Sequence, residues 1–130
     1  MNTKYILAHD FGTSGDKASL FTTDGKFVGT RTTGYPSHTL PNGGVEQDPQ
    51  DWWKAFCRST KELTRDIDVR DILCVAFDGT YPNCLCVDAD GNVLNNAYIW
   101  QDVRAVQESA ELEAMIPREF LLCNSDGKIG

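Results

Sequence analysis

At 130 residues, with 41% hydrophobic and 24% charged residues, the chain fits one domain with a real core and is excluded from the disordered and fibrous classes. Its net charge of −7 argues against a nucleic-acid groove or an anionic membrane surface as the main partner; residues 1–65 carry eight Lys/Arg and seven Asp/Glu, residues 66–130 four and twelve. No basic segment with a long apolar core opens the chain and no apolar run approaches membrane-spanning length, so a cytoplasmic globular unit is expected.

The first predicted element is a strand over about residues 4–10, whose apolar run Tyr5-Ile6-Leu7-Ala8 leaves Asp10 at the C-terminal end, where sheet proteins often place reactive groups. The stretch Asp10-Phe11-Gly12-Thr13-Ser14-Gly15-Asp16-Lys17 then combines a carboxylate, a glycine- and hydroxyl-rich turn and a cation, a set able to surround a metal-bound phosphate. Gly12 and Gly15 permit φ > 0 and close backbone approach to a ligand, and Thr13 and Ser14 offer hydroxyls. The same residues also fit an ordinary β-hairpin with solvated polar groups. No Gly-Lys-Ser/Thr run opens a helix and no Gly-x-Gly-x-x-Gly stretch is present, so neither of those phosphate-binding patterns applies. Strands over about 16–22 and 26–32, joined at Asp24-Gly25-Lys26, complete an opening β-meander.

A loop rich in Gly, Pro, Ser and Asn follows from Gly34 to Gly44. Asp48 then caps a helix with Pro49 at its first position and Asp51 in its first turn, running to about Arg65. Trp52, Phe56, Thr60 and Leu63 recur at helical spacing, and Trp53 with Cys57 widens the stripe, so this face is expected to pack on a sheet, with aromatic stacking on a sugar as the alternative for one tryptophan. Ile72–Phe77 is a continuous apolar run, as for a strand covered on both faces, and the preceding helix makes a parallel crossover the expected connection. It ends at Asp78-Gly79-Thr80-Tyr81. A further strand is expected at Cys84–Val87, a turn at Asp88–Gly91, an extended piece at Val93-Leu94, and a last helix capped by Asp102 through about Met115, stopped by Pro117. The tail from Arg118 to Gly130 has no clear closing element. The cysteines Cys57, Cys74, Cys84, Cys86 and Cys123 are an odd set without secretory context, read as reduced, buried, apolar-like thiols; Cys84 and Cys86 would share one strand face. With only His9 and His38 available and no Cys-x-x-Cys, that reading outweighs zinc ligation.

Three segments also carry a resemblance. Asp10–Ser14 through Lys17, then Gly44-Val45-Glu46-Gln47-Asp48-Pro49 with Asp51-Trp52-Trp53, then Ile99-Trp100-Gln101-Asp102-Val103-Arg104 resemble, in order and spacing, the successive signatures of the FGGY carbohydrate kinases, most closely the xylulokinase branch. The resemblance spans essentially the whole chain. It implies an α/β, ribonuclease-H-like (actin-like ATPase) N-terminal domain: a mixed sheet with the opening β-meander and flanking helices, facing a second domain that holds most of the ATP. It also implies transfer of the γ-phosphoryl group of Mg-ATP to a sugar or polyol hydroxyl.

Carried over residue by residue, the resemblance puts Asp10 on Mg²⁺ or its waters and Gly12, Thr13 and Ser14 beside the transferring phosphate. Lys17 would offset phosphate charge, its alternative being a solvated strand lysine. Asp102 would accept hydrogen bonds from sugar hydroxyls, flanked by Trp100 and Arg104; capping can coexist with that role. Two departures stand out. Where xylulokinases carry a Ser-Gly-Gln-Met-His-Gly loop that touches sugar, this chain reads Asp78-Gly79-Thr80-Tyr81-Pro82-Asn83: Thr80 and Tyr81 fall at the sugar wall, and Pro82 cannot donate the hydrogen bond of the histidine. The family's catalytic aspartate lies later in a much longer chain, and no residue here matches it. Three readings follow: an incomplete N-terminal kinase domain, inactive alone; a non-catalytic remnant that binds a sugar or partner; or another actin-like ATPase, which would leave Gly44–Trp53 and Trp100–Arg104 unexplained. A domain without its partner also exposes apolar surface, which makes self-association, as a homodimer or otherwise, a further expectation.

Overall fold

The computed structural model describes residues 3–117 and 119–120. Three antiparallel strands open it, β1 (Tyr5–Gly12), β2 (Gly15–Thr22) and β3 (Phe27–Gly34). The long loop that follows contains a short ladder the composition conceals, β4 (His38–Thr39) against β5 (Val45–Gln47). Helix α1 (Pro49–Leu63) comes next, with the Asp48 side chain accepting from Gln50 N and Pro49 in the first turn, as the sequence predicts; it ends two residues before Arg65, with Thr64 as its C-cap. After one 3-10 turn (Val69–Asp71), β6 (Ile72–Gly79) enters parallel to β1, so the four-stranded sheet has the order β3-β2-β1-β6 with α1 as the crossover. A two-residue β7 (Ala97–Tyr98) extends the small sheet to β4-β5-β7, and α2 (Val106–Met115) follows.

The pleat divides the meander into two chemistries. Leu7, His9, Ala18 and Leu20 are buried toward α1, which packs on β2 and β3 through Ala55 and Ser59, while Asp10 and Lys17 stay exposed on the other face. His9 is the unexpected core residue. Its Nδ1 lies 3.0 Å from each carboxylate oxygen of Asp16, and its Nε2 lies 3.2 Å from Thr60 Oγ1 on α1, with both His9 and Asp16 fully buried. The facing carboxylate makes Nδ1 the protonated nitrogen. One imidazole therefore ties β1, β2 and α1 together.

Several expectations are corrected. Gly12 and Gly15 do not use the positive-φ region, which belongs to Gly25, Gly43 and Gly91. Gly15 is needed instead because a Cβ there would stand 2.7 Å from Thr33 O on β3. Strand β6 is not covered on both faces: Leu73, Val75 and Phe77 are exposed, because among the described residues β1 is its only strand neighbour and α1 covers β2 and β3 rather than β6. Trp53 and Cys57 also face solvent, since the α1 face that packs is the Ala55/Ser59 side flanked by Trp52, Phe56 and Thr60. Cys84–Val87 makes no strand, only isolated bridges from Cys84 to Tyr98 and from Val87 to Val93. Cys57, Cys74, Cys84 and Cys86 are free but exposed rather than buried, and Cys123, with most of the tail, lies outside the described residues.

Gly15→Ala is expected to cost about 2 kcal/mol by forcing β3 away from the hairpin. Asp16→Ala is expected to cost about 3 kcal/mol by orphaning the buried imidazole. Urea unfolding checks both, and the double variant His9→Leu/Asp16→Ala should cost less than the sum of its singles, since each single strands the partner that the other removes.

Candidate functional site

The β1–β2 hairpin presents Thr13 and Ser14 at its tip, between the paired Gly12 and Gly15. Backbone and side chain brace it from three directions. Tyr35, which leaves β3 and is nearly buried, donates its hydroxyl to Gly12 O at 2.5 Å. Burial, reinforced by the charges of Asp16 and Asp10, pushes the Tyr35 phenol up to about 12, so it remains a donor throughout the physiological range. Gln47, at the end of β5 and buried, donates Nε2 to Thr13 O (2.7 Å) and to Ser37 Oγ (2.8 Å) while its Oε1 accepts from the Trp52 indole at 2.9 Å. Thr80, just past β6, donates both its amide and its hydroxyl to Phe11 O at 2.9 Å.

Trp100 closes the arrangement. Its indole N–H donates to Thr13 Oγ1 at 2.9 Å, and its backbone N–H donates to Asn83 Oδ1 at 3.2 Å, while Asn83 Nδ2 reaches back to Thr80 O at 3.0 Å. A hydrogen-bonded ring thus runs from the hairpin through Thr80 and Asn83 to Trp100 and back to Thr13. It surrounds a cavity of about 70 Å³, with Trp52 and Gln47 on its α1 side and Phe11 and Ile99 among its apolar walls.

Asp102 and Arg104 stand beside this cavity but do not line it. Asp102 accepts from Val45 N at 2.9 Å and from the Arg104 backbone and guanidinium at 2.7–3.1 Å. Arg104 also pairs with Glu46 at 2.9 Å, stacks over the Tyr98 ring at 4.3 Å and lies against Gly44, where a Cβ would be 2.7 Å from its Nε. The hydrogen bonds from Arg104 hold the Asp102 carboxyl down at about 2. Asp102 does not cap α2: that helix starts at Val106 after Ala105, with no side-chain cap, because the Asp102 oxygens are already spent on Val45 and Arg104.

The sequence-derived set therefore separates into groups. Gly12, Thr13, Thr80 and Trp100 meet around one cavity, with Ser14 exposed beside Thr13. Asp10 and Lys17 are cross-strand partners on the opposite sheet face, where Asp78 pairs with Asp10 from the other side; together they border an open hollow of about 260 Å³. Tyr81 is 89% exposed and builds no wall of the cavity; the residue from that loop that does is Asn83. Gln47, Tyr35 and Asn83 were not singled out. Gln47 had a signal, since an amide two residues after the inward-facing Val45, ahead of a helix cap, is placed to turn inward; Asn83 and Tyr35 had none, because their partners lie 17 and 23 residues away.

A β-meander continued in parallel through a crossover helix, with a hydroxyl-bearing hairpin turn at the C-terminal end of β1, is an arrangement of the actin-like ATPase fold. Residues 5–125 match the N-terminal domain of the FGGY family of carbohydrate kinases, and the chain belongs to that family. It is 35% identical over 116 residues to the xylulose kinase of Escherichia coli K12, matching 87% of this chain and 23% of that protein. It is 32% identical over 105 residues to a glycerol kinase of Saccharolobus islandicus, matching 80% and 21%. Among solved structures, the xylulose kinase of Rhodospirillum rubrum superimposes with a TM-score of 0.82 at 25% identity, over 92% of this chain and 25% of that one. The chain thus spans about a quarter or less of the length of these relatives.

Because the folded Asp102 carboxyl lies at about 2, below its ordinary 3.8, its pairing contributes fully above the ordinary value and is lost as pH falls through about 2. The stability gap between wild type and Asp102→Asn is therefore expected to be largest near neutrality and to close on acidification from about pH 5 toward pH 2, read by thermal melts across that range.

Proposed function

We propose that this chain is the sugar-binding N-terminal part of an ATP-dependent carbohydrate kinase, which moves the γ-phosphoryl group of Mg-ATP onto a hydroxyl of a sugar or polyol. The observation that carries the reading is the Trp100–Thr13 hydrogen bond, which joins the Trp-x-Asp-x-Arg segment to the phosphate hairpin. An acceptor hydroxyl held against the Trp100 ring would lie beside the turn that would cradle the phosphoryl group in transit, and in phosphoryl transfer positioning and charge stabilisation do most of the work. Thr80 and Trp100 would bound the sugar, with Asp102 and Arg104 shaping the loop behind it; Tyr81, carried over from the family loop, would touch sugar only from the solvent side.

Asp10 fits a magnesium role by chemistry. An exposed carboxylate, with Asp78 beside it on the same hollow, suits an ion that keeps several waters and takes its remaining ligands from phosphate oxygens. When bound, the ion would neutralise charge between the phosphates, and Lys17, directly across the strand pair, would add a second positive charge there. Gly12, Thr13 and Ser14 would supply amides and hydroxyls at the turn.

The domain is read as incomplete. Support comes from the bare apolar face of β6 and from the small share of its relatives that the chain spans. No residue here matches the family's catalytic aspartate, so the isolated chain is expected to turn over no ATP. Its bare β6 edge makes self-association at high concentration an expected property, visible by sedimentation. The altered Thr80–Asn83 loop favours one further reading, a remnant that binds sugar without catalysis. Among the described residues no helix is long and apolar enough to cross a membrane.

Calorimetric titration of the chain with D-xylulose, gluconate and glycerol is expected to give weak binding, with dissociation constants of about 1 mM for a half-site. Trp100→Ala should abolish it. No ligand heat with any of the three would overturn the sugar-binding reading, whereas robust sugar-dependent ADP release by the pure chain would overturn its inactivity.

A further inference from the structure

Three hydroxyls border the cavity, and their bonding is unequal. Tyr35 spends its proton on Gly12 O, and Thr80 spends its proton on Phe11 O. Thr13 does the reverse. An indole N–H has only donor capacity, so in the 2.9 Å contact Thr13 Oγ1 must accept from Trp100. The Thr13 proton meets no acceptor among the described residues.

Resting on the phosphoryl-transfer reading above, we propose that Trp100 is a positioning residue acting through Thr13: its indole N–H occupies one lone pair of the Thr13 hydroxyl and leaves that hydroxyl as an oriented donor to a phosphoryl oxygen. The chain holds both ends of this relay firmly. The carbonyl of Thr13 is fixed by Gln47, and the backbone of Trp100 is fixed by Asn83, so the indole and the hydroxyl approach with little freedom to part. A hydroxyl that accepts one hydrogen bond donates a stronger second one, by roughly 10–30% in condensed-phase estimates. The acceptor is an anion, which strengthens the bond further. Trp100 is half exposed, so its ring remains open to a ligand while its N–H edge is committed to Thr13. One side chain would thereby serve two partners, touching the carbon skeleton of the acceptor and setting the donor for the phosphoryl group.

The test uses inorganic phosphate as the probe and the whole chain, followed by NMR of the loop amides and the Trp100 indole N–H. Phosphate is expected to shift the amides of Gly12–Gly15 in wild type. Thr13→Val should weaken phosphate binding about tenfold, the value of one hydrogen bond to a charged group. Trp100→Phe, which keeps a ring but no N–H, should weaken it about threefold. Thr13→Ser should bind like wild type. The decisive variant is Thr13→Val/Trp100→Phe, expected to equal Thr13→Val alone because the indole acts only through the hydroxyl. Thr13→Val should also move the Trp100 indole resonance and hasten its exchange, while Thr13→Ser should leave both unchanged. Wild-type binding in Trp100→Phe, a double variant weaker than Thr13→Val, or an indole resonance indifferent to Thr13→Val would each overturn this inference and leave the kinase reading standing. A wild-type loop that ignores phosphate would overturn both.

Discussion

A buried amide has four hydrogen-bonding opportunities and no water to fill them, and Gln47 meets that constraint by holding three separate pieces of chain at once. Its nitrogen binds the carbonyl of Thr13 and the hydroxyl of Ser37, and its oxygen takes the Trp52 indole proton. The hairpin turn, the excursion between β3 and β5, and the first turn of α1 are thereby held to one point. An apolar residue there would strip the Thr13 carbonyl and the Trp52 indole of this partner and loosen all three pieces. The tip of the β1–β2 hairpin is thus not a free loop: Gln47 from behind, Tyr35 from the side and Trp100 from in front each fix one of its atoms.

The same logic separates what was legible in the sequence from what was not. The β-meander, the parallel crossover and the Asp48–Pro49 helix start are written in local patterns, apolar runs and cap chemistry, and these appear where the patterns put them. The His9–Asp16–Thr60 array could not be read, because alternation in a strand marks His9 as inward only when its partners are known, and Thr60 comes 51 residues later. The Asp102 error is instructive. An aspartate a few residues ahead of a helix has the form of a cap, but both carboxylate oxygens are taken by the Arg104 fork and by Val45 N from a different segment, and the bidentate pair with the guanidinium leaves none for the helix. The cavity members Thr13, Thr80 and Trp100 were found by motif, whereas Asn83 and Tyr35, which hold Trp100 and Gly12, were hidden by the 17 and 23 residues that separate them from those partners.

Strand β6 shows a different limit. Its run of apolar residues describes a strand buried on both sides, and the described structure leaves that run bare. Composition encodes the environment a strand is built for, here a cover over the face that carries Leu73, Val75 and Phe77, and among the described residues that face stays exposed.

The pleat of β1 and β2 carries a consequence for how such a domain can change over time. Residues that alternate along the strands face either the core, as His9 and Asp16 do, or the open side, as Asp10 and Lys17 do, and the backbone between them acts as an insulating layer. A substitution on the open side alters charge without touching the packing against α1, and a repacked core leaves the open side in place. The hairpin is therefore modular in cross-section. The charge of one surface of the sheet can drift while the other surface keeps the strands packed on the helix.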